Sequence, residues 1–317
     1  MLYGRKNLET MNISLKDRPR VLLIGNGISR ACSSIMSKSW DDLIQKIYDK
    51  YNDGYYGKDG LRRRKKLPYP MQIVAASRDH VDGAMKDFAK DMDIEDLCEE
   101  DRAFLRGIIC SGQNAILTTN YTYELETAVI GKYSSYRYRK ARRVTQDTTT
   151  KTIQNHLFQY TDLGESIPPI WHIHGELHAR SSMIMGHYYY GKLVRVIQDY
   201  IPGFMRKYKK AIAEGQDSIE VKSWVDYFLL GDVHIVGFAW DISEEDIWWL
   251  VCCKKRNFDN TRIVYHVPKQ SEIAGTEKEI MMKMYGVEID CEESGFDYLS
   301  YYQRTIVYKT GTMSSDI

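Results

Sequence analysis

The 317-residue chain lacks the features that settle a class at sight. No C-x-x-C pair occurs among its six cysteines (Cys32, Cys98, Cys110, Cys252, Cys253 and Cys291), so the usual ligand spacing of a structural zinc is missing and reduced thiols are expected. It lacks a net field: 44 lysines and arginines stand against 43 aspartates and glutamates, which argues for neither nucleic acid, a membrane surface nor an acidic substrate. No run approaches the roughly 18 apolar residues of a membrane helix. The best candidate, WVDYFLLGDVHIVGFAW, is broken by Asp226, Asp232 and His234. The start, MLYGRKNLETMNISLKDRPR, lacks the apolar core of a signal peptide, and no internal repeat or low-complexity segment is visible. These absences lead us to expect a cytoplasmic protein without membrane contact, and 43% hydrophobic residues suffice for one large domain.

What is present is a series of short apolar runs, each ending in glycine or small polar residues: RVLLIGNGIS, AILTTNYT, IWHIHGE, VHIVGFA and TRIVYHV. Runs of this kind read as strands of a parallel sheet buried on both faces. Helical patterns lie between them. SWDDLIQKIYDKY places Trp40, Leu43, Ile44 and Ile47 on one stripe, and EEDIWWLVCCKKR follows the fourth run directly. The alternation predicts an α/β fold: a Rossmann-like, doubly wound, mostly parallel sheet with ligands at the carboxyl ends of its strands. The domain spans 15–270, with mostly helical insertions at about 50–105 and 188–228 capping the sheet, and 271–317 form a C-terminal extension with a frayed end.

The loops after the strands carry the chemistry. Gly25-Asn26-Gly27-Ile28-Ser29-Arg30 pairs two glycines at a strand-to-helix turn, which suits either a phosphate cradle or a tight turn with no ligand. A dinucleotide fingerprint would have a third glycine where Arg30 stands. His172 and His174 share a face if their strand continues through both. With His178 they spell H-x-H-x-x-x-H, but no Asp or Cys nearby in sequence completes a metal site, and none is expected. His174, before Gly175 at a strand end, suits catalysis or a hydrogen-bonded core position. In GFAWDISEEDIWW, Ser243 and Asp246 have capping-box spacing, and the acidic first turn would repel phosphate but accept bonds from sugar hydroxyls. Trp248, Trp249, Cys252 and Cys253 read as packing residues. GLRRRKKLPYP reads as a solvated basic loop, and KYSSYRYRKARR at 132–143 interleaves tyrosine with arginine in a way that would also suit nucleic acid.

In combination, and in this order along the chain, these loops resemble those of sirtuins. GNGIS resembles their G-A-G-I-S phosphate loop, TTNYT their T-Q-N-I-D turn, and HIHG the strand that ends in their catalytic histidine. IVGFAWD stands where sirtuins have a G-T-S loop, and IVYHV where they have a strand ending in I-N. The two zinc-binding C-x-x-C pairs and the G-I-P-D-F-R signature of protein-deacylating sirtuins are missing, the latter replaced by CSSIMSKSWDDLI. The chain is therefore similar to the divergent, zinc-less sirtuin-like domains of bacterial anti-phage systems, which hydrolyse NAD.

That resemblance implies NAD as substrate, no structural zinc, and a role in abortive infection. It implies that Asn120 holds the nicotinamide ribose or the attacking water and that His174 is a general base. Gly25, Asn26, Gly27, Ile28 and Ser29 would cradle the pyrophosphate, Thr119 and Thr122 would stand by the nicotinamide, and Gly237, Phe238 and Asp241 by the ribose. Because unrestrained NAD loss kills the host, control by a homo-oligomer or a partner protein of the defence system is expected. The alternatives are a non-catalytic nucleotide- or nucleic-acid-binding module, and an NAD-dependent deacylase or ADP-ribosyltransferase.

Overall fold

The computed structural model describes residues 11–35, 40–52, 66–78, 80–92, 94, 96–131, 142–143, 157–158, 167–258, 261–269, 272–292 and 297–310. The strands are β1 (Met11–Ser14), β2 (Arg20–Ile24), β3 (Ala115–Thr118), β4 (Arg142–Arg143), β5 (Leu157–Phe158), β6 (Ile170–His172), β7 (Ser218–Val221), β8 (Asp232–Val236), β9 (Ile263–Val267) and β10 (Glu288–Cys291). Six of them lie parallel in the order β6-β3-β2-β8-β9-β10. Counted along the chain, this is 3-2-1-4-5-6, the order of the doubly wound Rossmann fold. The winding reverses between β2 and β8, and the carboxyl ends of those strands open the crevice where such sheets bind ligands. β5 and β4 continue the sheet antiparallel beyond β6, and β1 pairs with β7 in a separate two-stranded ribbon.

The apolar runs become strands because both sheet faces are covered. In β2, Val21, Leu22, Leu23 and Ile24 are all fully buried, and alternation sends them to two different cores. Val21 and Leu23, with Leu117, Trp171 and Ile235, pack against α7 (His187–Ala213), α8 (Trp224–Leu230) and α9 (Glu245–Asn257). Leu22 and Ile24, with Ile116 and Val236, meet helices that include α1 (Asn26–Ala31), α2 (Trp40–Asn52), α3 (Tyr69–Ser77), α4 (Val81–Asp91), α5 (Glu99–Ile109) and α6 (Glu124–Ile130). Among the described residues the remaining α-helices are α10 (Glu277–Met284) and α11 (Tyr298–Arg304).

Two differences from expectation concern architecture. The stretch at 188–228 is the crossover from β6 to β8: α7 buries Leu193, Ile197, Ile201 and Phe204 against the sheet, and the stretch includes β7. The C-terminal region supplies β10, the sixth parallel strand, and α11 places Tyr301 and Tyr302 in the core. β10 has no apolar run because it is an edge strand, and none of its residues is fully buried. Residues 60–65 of the first basic run, 132–141 of the tyrosine-arginine stretch and 311–317 of the tail lie outside the described residues. Among the described residues no helix is long and apolar enough to cross a membrane, and the six cysteines are free thiols.

At the switch point two turns are welded together. A Cβ on Gly25 would lie 2.7 Å from Phe238 Cα, and one on Gly27 would lie 2.6 Å from the Gly237 carbonyl oxygen and 2.7 Å from the Tyr302 hydroxyl. The Gly27 N–H donates to that same carbonyl at 2.7 Å. Gly237 has φ +63°, a conformation that favours glycine. Gly27→Ala should therefore destabilise the protein by about 1–3 kcal/mol through overpacking. Gly107→Ala, in the interior of α5 with nothing within 4 Å of the new methyl, should stabilise it by about 0.5–1 kcal/mol. Urea unfolding of the two variants beside wild type checks both signs.

Candidate active site

A cavity of about 650 Å³ opens at the carboxyl ends of the parallel strands, within the size range of small-molecule and cofactor sites. Asn26 and Gly27 line it from the first loop, Thr119, Asn120 and Thr122 from the turn after β3, and His174 from the turn after β6. Gly237, Phe238 and Asp241 line it from the loop after β8. Gly25, Ile28 and Ser29 stand behind this wall. Ile28 is fully buried in the core, and the buried Ser29 hydroxyl donates to Glu124 Oε1 at 2.8 Å. The backbone amides of Gly27 and Ile28 also donate within the protein, to Gly237 and Gly25. The glycine loop is thus first a packing device, with Asn26 and Gly27 as its cavity-facing part.

Asn120 is held by a buried node. Its Nδ2 donates to Glu124 Oε1, to Ser29 Oγ at 3.1 Å and to the Gly25 carbonyl at 3.4 Å. Thr122 Oγ1 donates to Glu124 Oε2 at 2.7 Å. A carboxylate gathering three donated bonds accepts only, so the Asn120 amide must turn its nitrogen inward, leaving Oδ1 as its uncommitted polar atom. Burial raises the Glu124 pKa above the ordinary carboxylate value although Thr122 and Asn120 donate to it.

The two histidines of HIHG do not share a face, because β6 stops at His172 and the chain turns. His172 Nδ1 donates to the Asn120 carbonyl at 2.8 Å and Nε2 to Glu126 Oε1 at 2.7 Å. Burial opposes charge on this ring, but Glu126, then Glu176 and the Asn120 carbonyl, reverse that and raise its pKa to about 9. His172 is therefore a cation that pins the Asn120 backbone. His178 stacks on Tyr123 at 5.4 Å, and the same tyrosine meets His172 edge-on at 5.4 Å, whereas His174 turns away from both. Gly175 has φ +90°, and a side chain there would overlap the Ser182 carbonyl.

His174 turns to the opposite wall. Its Nε2 lies 3.0 Å from Asp246 Oδ2 and 3.8 Å from Glu244 Oε2, and Tyr190 donates to the same Glu244 oxygen at 2.9 Å. Burial again opposes charge, and Asp246 and then Glu244 outweigh it, so the His174 pKa lies above the usual value. Burial pushes Glu244 up to about 7, against the pull of His174 and Tyr190. His174, Glu244 and Asp246 bring ligand atoms within 4.8 Å of one another, the one such group of three among the described residues that could hold a metal ion. The expected capping box does not form: Ser243 bonds Asp241 Oδ1 through its N–H at 2.9 Å, and the Asp246 carboxylate goes to His174. Trp248 is buried, as its packing role requires.

Sequence reasoning missed Glu124, Glu244, Asp246 and Arg30 as site residues. Glu124 carried a signal, one helical turn after Asn120, and Asp246 was masked by its capping spacing. Among the described lining residues Arg30 is the one lysine or arginine, against the four carboxylates of Asp41, Asp241, Glu244 and Glu272. No described carboxylate forms an ion pair with it. Comparison with protein-family models and with curated proteins gives no match.

The His172–Glu126 pair makes a pH prediction. With a folded pKa of about 9 against an ordinary 6.5, its contribution to stability is complete below pH 6.5 and is lost as pH rises through 9. The thermal midpoint of wild type should exceed that of Glu126→Gln most below pH 6.5, and the gap should close towards alkaline pH in scanning calorimetry.

Proposed function

We propose that the protein hydrolyses the N-glycosidic bond of NAD, releasing nicotinamide and ADP-ribose. The observation that carries this reading is that Asn120 and His174, delivered by two different strand ends, meet on the wall of one cavity at the Rossmann crevice. Three further features fit the substrate. Arg30 supplies a cation for the pyrophosphate where the loop amides are already engaged. Asn120 Oδ1 can accept from a ribose hydroxyl or from water. Glu244 stands beside His174 and Asp241 lines the same cavity, two carboxyl groups suited, when ionised, to the oxocarbenium-like ribose that forms as nicotinamide departs.

In the reaction the C1′–N bond breaks and its electron pair leaves with nicotinamide, neutralising the pyridinium. A water oxygen forms the new bond to C1′, its proton passes to His174, and that proton is later released to solvent. Asn120 orients the reactants, which is worth most in a closed site where positioning replaces diffusional encounter. Control by self-assembly or by a partner protein belongs to the same proposal.

Chromatographic detection of nicotinamide from NAD over a range of protein concentrations tests the reading. Asn120→Ala and His174→Ala should each lower release by about 100-fold or more with the fold retained, and Arg30→Ala should raise KM by about tenfold as a charge-assisted contact to phosphate is lost. Activity rising faster than protein concentration would support control by assembly. Wild-type release that persists in both Asn120→Ala and His174→Ala would remove the site from the reaction. No release at any concentration would count against the activity itself.

A further inference from the structure

His174 sits two residues beyond the end of β6, in a turn, so its own strand does not hold the ring. The ring is gripped instead from across the crevice. Tyr190 of α7 meets it edge-on at 5.4 Å between ring centres, Glu244 Oε2 stands at 3.8 Å, and Asp246 Oδ2 is in hydrogen-bond contact at 3.0 Å. Asp246 lies in the first turn of α9 with 0% exposure, and its second oxygen, Oδ1, has no hydrogen-bond partner among the described residues. Burying a carboxylate with half of its acceptor capacity unused costs stability, and the cost is met here by one contact, the imidazole. Glu244 is a poorer candidate for the same task, being further away and sharing its nearer oxygen with the Tyr190 hydroxyl.

Resting on the NAD-hydrolysis reading of this site, we propose that Asp246 is the positioning residue of His174. It accepts the Nε2–H, fixes the tautomer that leaves the lone pair on Nδ1, and balances the imidazolium formed when that nitrogen takes the proton of water. The logic is that of any base held by a carboxylate on its far nitrogen. It also explains why an acid at capping-box spacing makes no cap.

Full-length Asp246→Asn beside wild type is the test, read three ways. The expected result is a fall in kcat for nicotinamide release of about 100-fold or more with KM changed little, because the group acts on the base and not on substrate. The titratable groups about the ring are Asp246 of α9, Glu244 at the N-cap of α9, Tyr190 of α7 and Tyr121 of the β3 turn, with Asp241 beside Glu244. With the Asp246 charge removed, the acidic limb of the pH profile should move to lower pH. Nitrogen-15 NMR of the His174 ring, at a pH above its titration, should show Nε2–H alone in wild type and a tautomer mixture in the variant.

Unchanged kcat with an unmoved acidic limb would overturn the proposal. If wild type releases no nicotinamide, the NAD reading fails while the NMR experiment still decides the role of Asp246. A wild-type ring protonated on Nδ1 overturns it even if Asp246→Asn does not fold.

Discussion

The close approach of two turns at the switch point of the sheet is the constraint on which the site depends. Gly27 donates to the Gly237 carbonyl at 2.7 Å, and neither Gly25 nor Gly27 has room for a methyl group. Because β2 and β8 are neighbours in register from Arg20↔Asp232 to Ile24↔Val236, their loops leave the sheet side by side. Packing these loops against each other sets the width of the crevice, and the cavity walls follow from it. A nucleotide-binding role for such glycines is commonly argued from the approach of phosphate; here the approach of a second polypeptide loop already requires them.

Two buried electrostatic assemblies hold the polar side chains on either side of that crevice. On one side Glu124 collects Asn120, Ser29 and Thr122, while the His172–Glu126 pair anchors the Asn120 carbonyl. On the other, α9 and its N-cap present Asp246 and Glu244 to His174. Each assembly joins elements distant in sequence, so the rotamers facing the cavity are fixed by partners outside their own loops. Buried charges of this kind are costly unless paired, and a paired charge in a low-dielectric setting holds its partner with corresponding firmness. Rigid positioning of this type suits a reaction whose demand on the protein is orientation and charge.

The acidic character of the wall has a consequence for ligand choice. With Arg30 the one permanent cation among the described lining residues, a ligand must bring its negative charge to that corner and less charged, hydroxyl-rich or cationic groups to the rest. The proposed substrate, NAD, has this distribution, with its pyrophosphate at the centre and a pyridinium at one end.

The fold class was legible because strands buried on both faces must be apolar throughout, which made VLLI, AIL and VHIV conspicuous. The turn residues were legible for a related reason: loops at strand ends lie where the fold collects ligands, and Asn120 and His174 stand in such loops. The edge strand β10 was not, since an uncovered strand needs no apolar run, and β7 pairs outside the main sheet. Nor did spacing predict where the histidines go, because the face rule holds only while the strand continues and β6 stops at His172. The sequence by itself determined five of the six parallel strands, β2, β3, β6, β8 and β9, and which loops reach the carboxyl edge of the sheet, because hydrophobic periodicity and turn chemistry are local. Only the tertiary structure decided that Ser29 supports Asn120, that Asp246 holds His174, and that the paired glycines first serve packing, because each depends on contacts between residues far apart in the chain.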